Sequence, residues 1–270
     1  MTPLRLFLFA GVTPFVCATT LPVSAHEFWL APLDYIVEPD TAVAADLRNG
    51  QNFTGIKLPY LPNNTALFET WHEGEKITYS GRVGDFPAFQ SDGFDAGLLV
   101  VVHETTKSRI SYATMEKFEA FVQDKGRADI LEQHRARGLP ETDFTELYSR
   151  HVKTLIAVGD GQGADRNFGL KTEIIALTNP YTPNFEGTMQ VEWRLDDVPQ
   201  PNSTVILFDR ALAGDVTTTH LETDAQGQLR FATQPGHTYL VDAVGFASAA
   251  EESDAVWETY WAALTFQVPE

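Results

Sequence analysis

Apolar and polar positions alternate over short runs along most of this chain, and the period changes in one place near the middle. From His26 to about His103 the runs are broken by Gly, Pro and Asn, the pattern of a β-sandwich. Phe28-Trp29-Leu30 opens a strand that Pro32 closes, residues 41–47 give a second, and Arg48-Asn49-Gly50 reads as the turn after it. Residues 65–72 and 76–82 flank Glu73-Gly74-Glu75 and predict a hairpin. Residues 98–102 are apolar on both faces, which places that strand inside a sheet with His103 at its end.

Between Tyr112 and Arg150 the spacing widens to about 3.6 residues and predicts helices. Thr114 caps a first helix, whose apolar face is Met115, Phe118, Phe121 and Val122 and which ends at Lys125-Gly126. A second spans about 128–137. Thr142 caps a third, with Phe144, Leu147, Tyr148 and His151 on one face. Strand spacing returns at 153–158 and 170–177, and Asn179-Pro180-Tyr181-Thr182-Pro183 reads as a hinge. Beyond it, runs at 188–195, 204–209, 217–223, 229–233, 238–244 and 260–268 are separated by Gly, Pro and Asp turns. The fold expected is mainly β: two β-sandwich domains, 26–183 with a helical insertion at about 112–150, and 184–270, which is immunoglobulin-like or transthyretin-like.

Residues 1–25 read as a cleaved signal peptide. Arg5 is their only charge, residues 6–18 are largely apolar, and Val23-Ser24-Ala25 fits the cleavage pattern. Val16-Cys17-Ala18 offers a second site. No later run approaches the ~18–20 apolar residues of a spanning helix. Cys17 is the only cysteine, so the mature chain has neither disulfides nor thiolate metal sites, and any metal must be held by nitrogen and oxygen. The net charge of −18 becomes −19 once the leader and its Arg5 are gone, which argues against nucleic acid and anionic membranes as partners.

Cleavage after Ala25 makes His26 the first residue. Its α-amine and imidazole can then close a chelate ring on a transition metal, because both shed protons near neutrality. His103, followed by Glu104, is the next candidate ligand, and His72 at the end of a hairpin strand is the third. His151 reads as packing on the third helix, and His134, flanked by Glu132, Arg135 and Arg137, as a solvated face. There is no His-Glu-x-x-His pair and no Gly-x-Ser-x-Gly elbow, and the loop Gly159-Asp160-Gly161-Gln162-Gly163 opens no helix, so nothing points to an enzyme.

Several stretches resemble the DUF4198 family. They are His-Glu-Phe-Trp-Leu after the leader, Tyr148-Ser149-Arg150-His151-Val152-Lys153, Asn179-Pro180-Tyr181, the turn Thr223-Asp224-Ala225-Gln226-Gly227 with Pro235-Gly236, and a closing segment at 257–266. That turn also occurs in carboxypeptidase-regulatory-like domains. The resemblance implies a periplasmic, non-enzymatic protein that binds a divalent transition metal ion, nickel or cobalt with copper or zinc as options, and hands it to the components of a membrane metal-uptake transporter. His26 is the position it supports as a ligand. Two other readings fit the residues: a non-catalytic sandwich binding glycans or envelope proteins through Trp29, Trp71, Trp257 or Trp261, and a histidine-brace copper protein.

Overall fold

The alternating runs form strands, and the strands stack in three sheets. The computed structural model describes residues 26–270, so the expected leader lies outside the described residues. The middle sheet runs Val216–Glu222, Thr204–Arg210, Thr238–Ser248, Trp257–Gln267, Phe144–Val158, Gly97–Thr105, Thr65–His72, Glu75–Thr78. Short strands Ile36–Val37 and Ser108–Tyr112 pair with other parts of Phe144–Val158. Along that path every ladder is antiparallel except the one joining Trp257–Gln267 to Phe144–Val158.

Each face of this sheet is covered. The strands Glu27–Pro32, Val43–Gln51, Thr54–Leu58 and Phe89–Ser91 form an outer sheet, and Leu30, Ala45 and Phe89 meet Leu99, Val101, Val152, Ile156 and Ala263. On the other face lie Thr172–Ala176, Thr188–Leu195, Val198–Pro199 and Gln228–Ala232, where Met189 and Trp193 meet Val100, Leu155, Val241 and Leu264. Odd and even positions of one strand thus serve different cores, which is why 98–102 is apolar throughout. Each fully buried Leu or Phe stabilises the fold by about 1.5–3 kcal/mol.

Two helices, α1 (Met115–Asp124) and α2 (Asp129–Ala136), lie beside the first outer sheet. They pack Phe118, Phe121, Ile130 and Leu131 onto Phe144, Trp257 and Trp261. Thr114 precedes α1 in extended backbone as expected, but its hydroxyl makes no cap hydrogen bond. Gly126 ends α1 at φ +66°, and a side chain there would meet Thr204 Oγ1 at 2.3 Å, so position and contact both require glycine. No helix among the described residues is long and apolar enough to cross a membrane.

Several expectations are corrected. The third helix does not exist: Phe144–Val158 is one continuous strand of 15 residues. Arg48-Asn49-Gly50 lies within a strand, and the reversal comes later at Asn52 and Phe53, both at positive φ as a tight two-residue hairpin requires. The hairpin at Glu73 and Gly74 forms, but its second strand is Glu75–Thr78 rather than 76–82. Strands from either side of Pro183 meet twice, in the parallel ladder of the middle sheet and where Thr172–Ala176 pairs with Thr188–Leu195.

Candidate functional site

Strand alternation builds the site. On Phe144–Val158 the residues Glu146, Tyr148 and Arg150 share a face with Val152 and Ile156, which point toward the first outer sheet. Trp261 stands opposite Arg150 in the parallel ladder. That outer sheet reaches only as far as His26 and Asn49, and α1 approaches from the other side with Lys117 and Phe121. The gap between them is a cavity of about 350 Å³, floored by the middle sheet.

Arg150 is its central group. Nη1 donates to the His26 carbonyl at 2.6 Å. The guanidinium carbon lies 4.7 Å from the Trp261 ring centre and 5.3 Å from that of Tyr148. Burial pushes the guanidinium below its ordinary value, opposed by the fields of Tyr148, Asp242, Glu27 and Glu146. Glu146, the acid on the cavity wall, is held through both oxygens, by the Tyr112 hydroxyl at 2.8 Å and by that of Thr259. Burial pushes its pKa up to about 7.

A second cavity of about 220 Å³ shares Asn49, Tyr148 and Arg150 with the first and is lined on its far side by Thr65 and His103. His103 is buried against Phe68 and Phe28, with ring centres 4.7 and 5.8 Å away. Its Nε2 is 3.3 Å from Thr65 Oγ1, and its Nδ1 has no partner. Burial pushes its pKa down to about 3, so it stays neutral and able to donate a lone pair.

The three expected metal ligands are therefore placed differently. His26 opens on the first cavity and His103 on the second, with Arg150 between them. His72 is elsewhere: it pairs with Leu99 while His103 pairs with Phe68, four residues along the ladder, or roughly 13 Å at ~3.3 Å per residue. One ion cannot bridge His72 and His103. Glu104 does not orient His103 either, because neighbours on a strand face opposite ways, and its carboxylate lies 3.8 Å from His151 Nδ1. His134 is not solvated but buried, accepting from Trp257 Nε1 at 3.0 Å and reaching the Pro140 carbonyl at 3.0 Å.

One group escaped the sequence reading. Glu27, Lys125 and Asp242 form a buried cluster beside Trp261, with Lys125 Nζ 3.2 Å from Asp242, 3.7 Å from Glu27 and 5.0 Å from the Trp261 ring centre. Burial, with help from Asp242 and Asp124, pushes the Glu27 pKa up to about 7. Glu27 Oε2 and Asp242 Oδ1 have no hydrogen-bond partner.

The features that framed the sequence reading, from the segment at His26 to Phe246, lie inside a single family match: residues 23–246 match the family described as Domain of unknown function (DUF4198). The chain belongs to DUF4198. The closing segment 257–266 lies beyond the matched residues of this DUF4198 chain. No curated protein matches it.

Among solved structures, the DUF4198 chain is similar to a two fibronectin type-III domain segment from chicken tenascin, at 13% identity over 88% of this chain and 97% of that one, with a TM-score of 0.23. It is also similar to a tetra-tandem repeat in the extending region of a large adhesion protein, at 14% identity over 89% and 49% of the two chains, TM-score 0.22. The D0-D1 domain of intimin follows at 13% identity over 90% and 100%, TM-score 0.19.

The metal implied by resemblance to DUF4198 fits the donors in part. Among the described residues no group of three or more His, Asp or Glu side chains is placed to hold an ion. What a mature terminus would offer is a two-nitrogen chelate at His26, with the Asn49 Oδ1, buried and without a partner, lining the same cavity. Of the tryptophans considered as platforms, Trp29, Trp257 and Trp261 are buried and Trp71 is half-buried.

Proposed function

We propose that this DUF4198 protein is an exported, non-catalytic accessory of a metal-uptake system. His26, as first residue of the mature chain, captures nickel or cobalt through its α-amine and imidazole, and the protein passes the ion to membrane transporter components. One observation carries this reading: the residue is anchored through its backbone while its side chain has no hydrogen-bond partner among the described residues. Arg150 holds the His26 carbonyl at 2.6 Å, and ladder pairing starts at once with Glu27 against Gly50. A terminus fixed in this way loses less entropy on chelation than a frayed one. Two nitrogens from the protein, with water or a further oxygen completing the shell, give an affinity that permits release.

Calorimetric titration with nickel tests it. The mature protein, with His26 confirmed as its first residue by mass spectrometry, is run beside a protein carrying one extra residue before His26. The expected result is binding by the first and none by the second. Equal binding by both would remove the terminus as the site. A His26→Ala variant that binds as tightly as the parent would do the same.

A further inference from the structure

The Arg150 guanidinium feels the fields of Asp242, Glu27 and Glu146 but touches no carboxylate. Its side-chain hydrogen bond goes to a neutral carbonyl. No carboxylate oxygen of the described residues lies within 4.0 Å of it, and residues 1–25 contain no Asp or Glu to supply one. Arg137 and Arg210 likewise donate to a backbone carbonyl and reach no carboxylate, whereas three other arginines are paired: Arg109 with Asp254, Arg127 with Asp129, Arg135 with Glu119. Those three sit toward the surface, where pairing matters least. Arg150 is half-buried against the Tyr148 and Trp261 rings, which favour a cation and give its planar fork a fixed seat.

The cavity beside it has an unusual balance for this chain. The protein carries 37 acidic residues against 19 Lys and Arg, yet Lys117 and Arg150 line the cavity and Glu146 is the sole acid there, with both oxygens engaged. Lys117 is exposed at the rim. Ile110, Phe121 and Trp261 supply apolar walls. At about 350 Å³ the space falls at the small end of ligand pockets, which run from roughly 300 to 1,000 Å³. A guanidinium offers a planar fork of five N–H donors suited to a carboxylate, and the carbonyl of His26 takes a donor from one of its nitrogens only.

We propose that this cavity binds a small organic carboxylate: Arg150 and Lys117 take the carboxylate, and Ile110, Phe121 and Trp261 enclose an apolar body. The anion is the carboxylate in direct contact that Arg150 otherwise lacks. The site shares its cavity with His26 but needs no metal, so it is tested separately from the reading of His26. Inorganic phosphate fits less well, since it has no apolar part to fill the walls.

The test uses metal-stripped mature protein, titrated with benzoate by calorimetry and by tryptophan fluorescence, since Trp261 lines the cavity. Benzamide, of the same shape without the charge, and inorganic phosphate run beside it. Saturable binding of benzoate alone is expected, weakened about ten- to a hundredfold in Arg150→Gln. Lys117→Gln should weaken it about two- to fivefold and flatten its salt dependence. Because Arg150 also holds the terminus, Ile110→Trp serves as a second variant that fills the cavity and spares the guanidinium; it should abolish benzoate binding while keeping the parent circular dichroism. Failure of benzoate to saturate, equal binding of benzamide, phosphate binding in place of benzoate, or undiminished binding by Ile110→Trp would overturn the proposal. None of these outcomes depends on whether nickel binds.

Discussion

Two buried lysines in this protein are surrounded by acids, and they are finished to different degrees. Lys153 Nζ contacts Asp165 at 2.8 Å, Glu173 at 2.9 Å and the Arg166 carbonyl at 3.3 Å. Its acids are engaged further: Asp165 accepts the Ala176 N–H, and Glu173 accepts those of Phe168 and Leu170. Lys125 also lies between two buried acids, but at 3.2 and 3.7 Å, and an oxygen on each acid has no partner. The first cluster closes the loop before Thr172–Ala176. The second sits beside the ring that lines the Arg150 cavity. A fully satisfied buried charge network is structure, whereas an incompletely satisfied one next to a cavity marks where the fold gives up stability for another purpose.

This contrast can be broken or sharpened by mutation. The largest effect should come from Lys153→Met, which leaves two buried acids without their cation and should cost about 3–5 kcal/mol, read from the urea midpoint. Lys125→Met should cost less, about 2–3 kcal/mol, because its cluster is looser and Glu27 can take a proton instead. Equal losses in the two variants would remove the distinction.

Next comes pH. The Glu27 pKa rises from an ordinary 4.5 unfolded to about 7 folded, so the native state holds its proton more tightly. Its contribution is complete below about 4.5 and is lost as pH rises through about 7. Glu27→Gln should therefore flatten the decline in stability over that window by about 3 kcal/mol, with Glu146, raised for the same reason, supplying a remaining slope. Smallest of all, Arg109→Gln breaks an exposed pair and should leave the denaturation midpoint within experimental scatter.

Where strands alternate strictly or are apolar throughout, the sequence reading located them well. Thr65–His72 and Thr188–Leu195 fall where expected, and so do both real helices. Phe144–Val158 was misread because it carries the site. Glu146 and Arg150 occupy inward positions where a hydrophobic residue would have completed the alternation, leaving Phe144, Leu147, Tyr148 and His151 to imitate a helical face. The polar residues that hid the strand are those that line the cavity.

His134 misled for the opposite reason. Its charged neighbours describe the outer side of α2, while the ring itself turns inward to Trp257. Glu27 gave no local signal, since its burial depends on Lys125 and Asp242, about a hundred and two hundred residues away. The family was legible from its opening and central motifs, both inside the match.

The paired ladders that cross Pro183 have a mechanical consequence. Nine register pairs join Phe144–Val158 to Trp257–Gln267, and five more join Thr172–Ala176 to Thr188–Leu195. The two halves of the chain are thus riveted rather than hinged, and cannot swing apart and shut like a clamshell without tearing backbone hydrogen bonds. Whatever enters the space beside Arg150 comes and goes over a stationary rim of His26, Ser111 and Lys117. Access to that space therefore requires no opening of lobes.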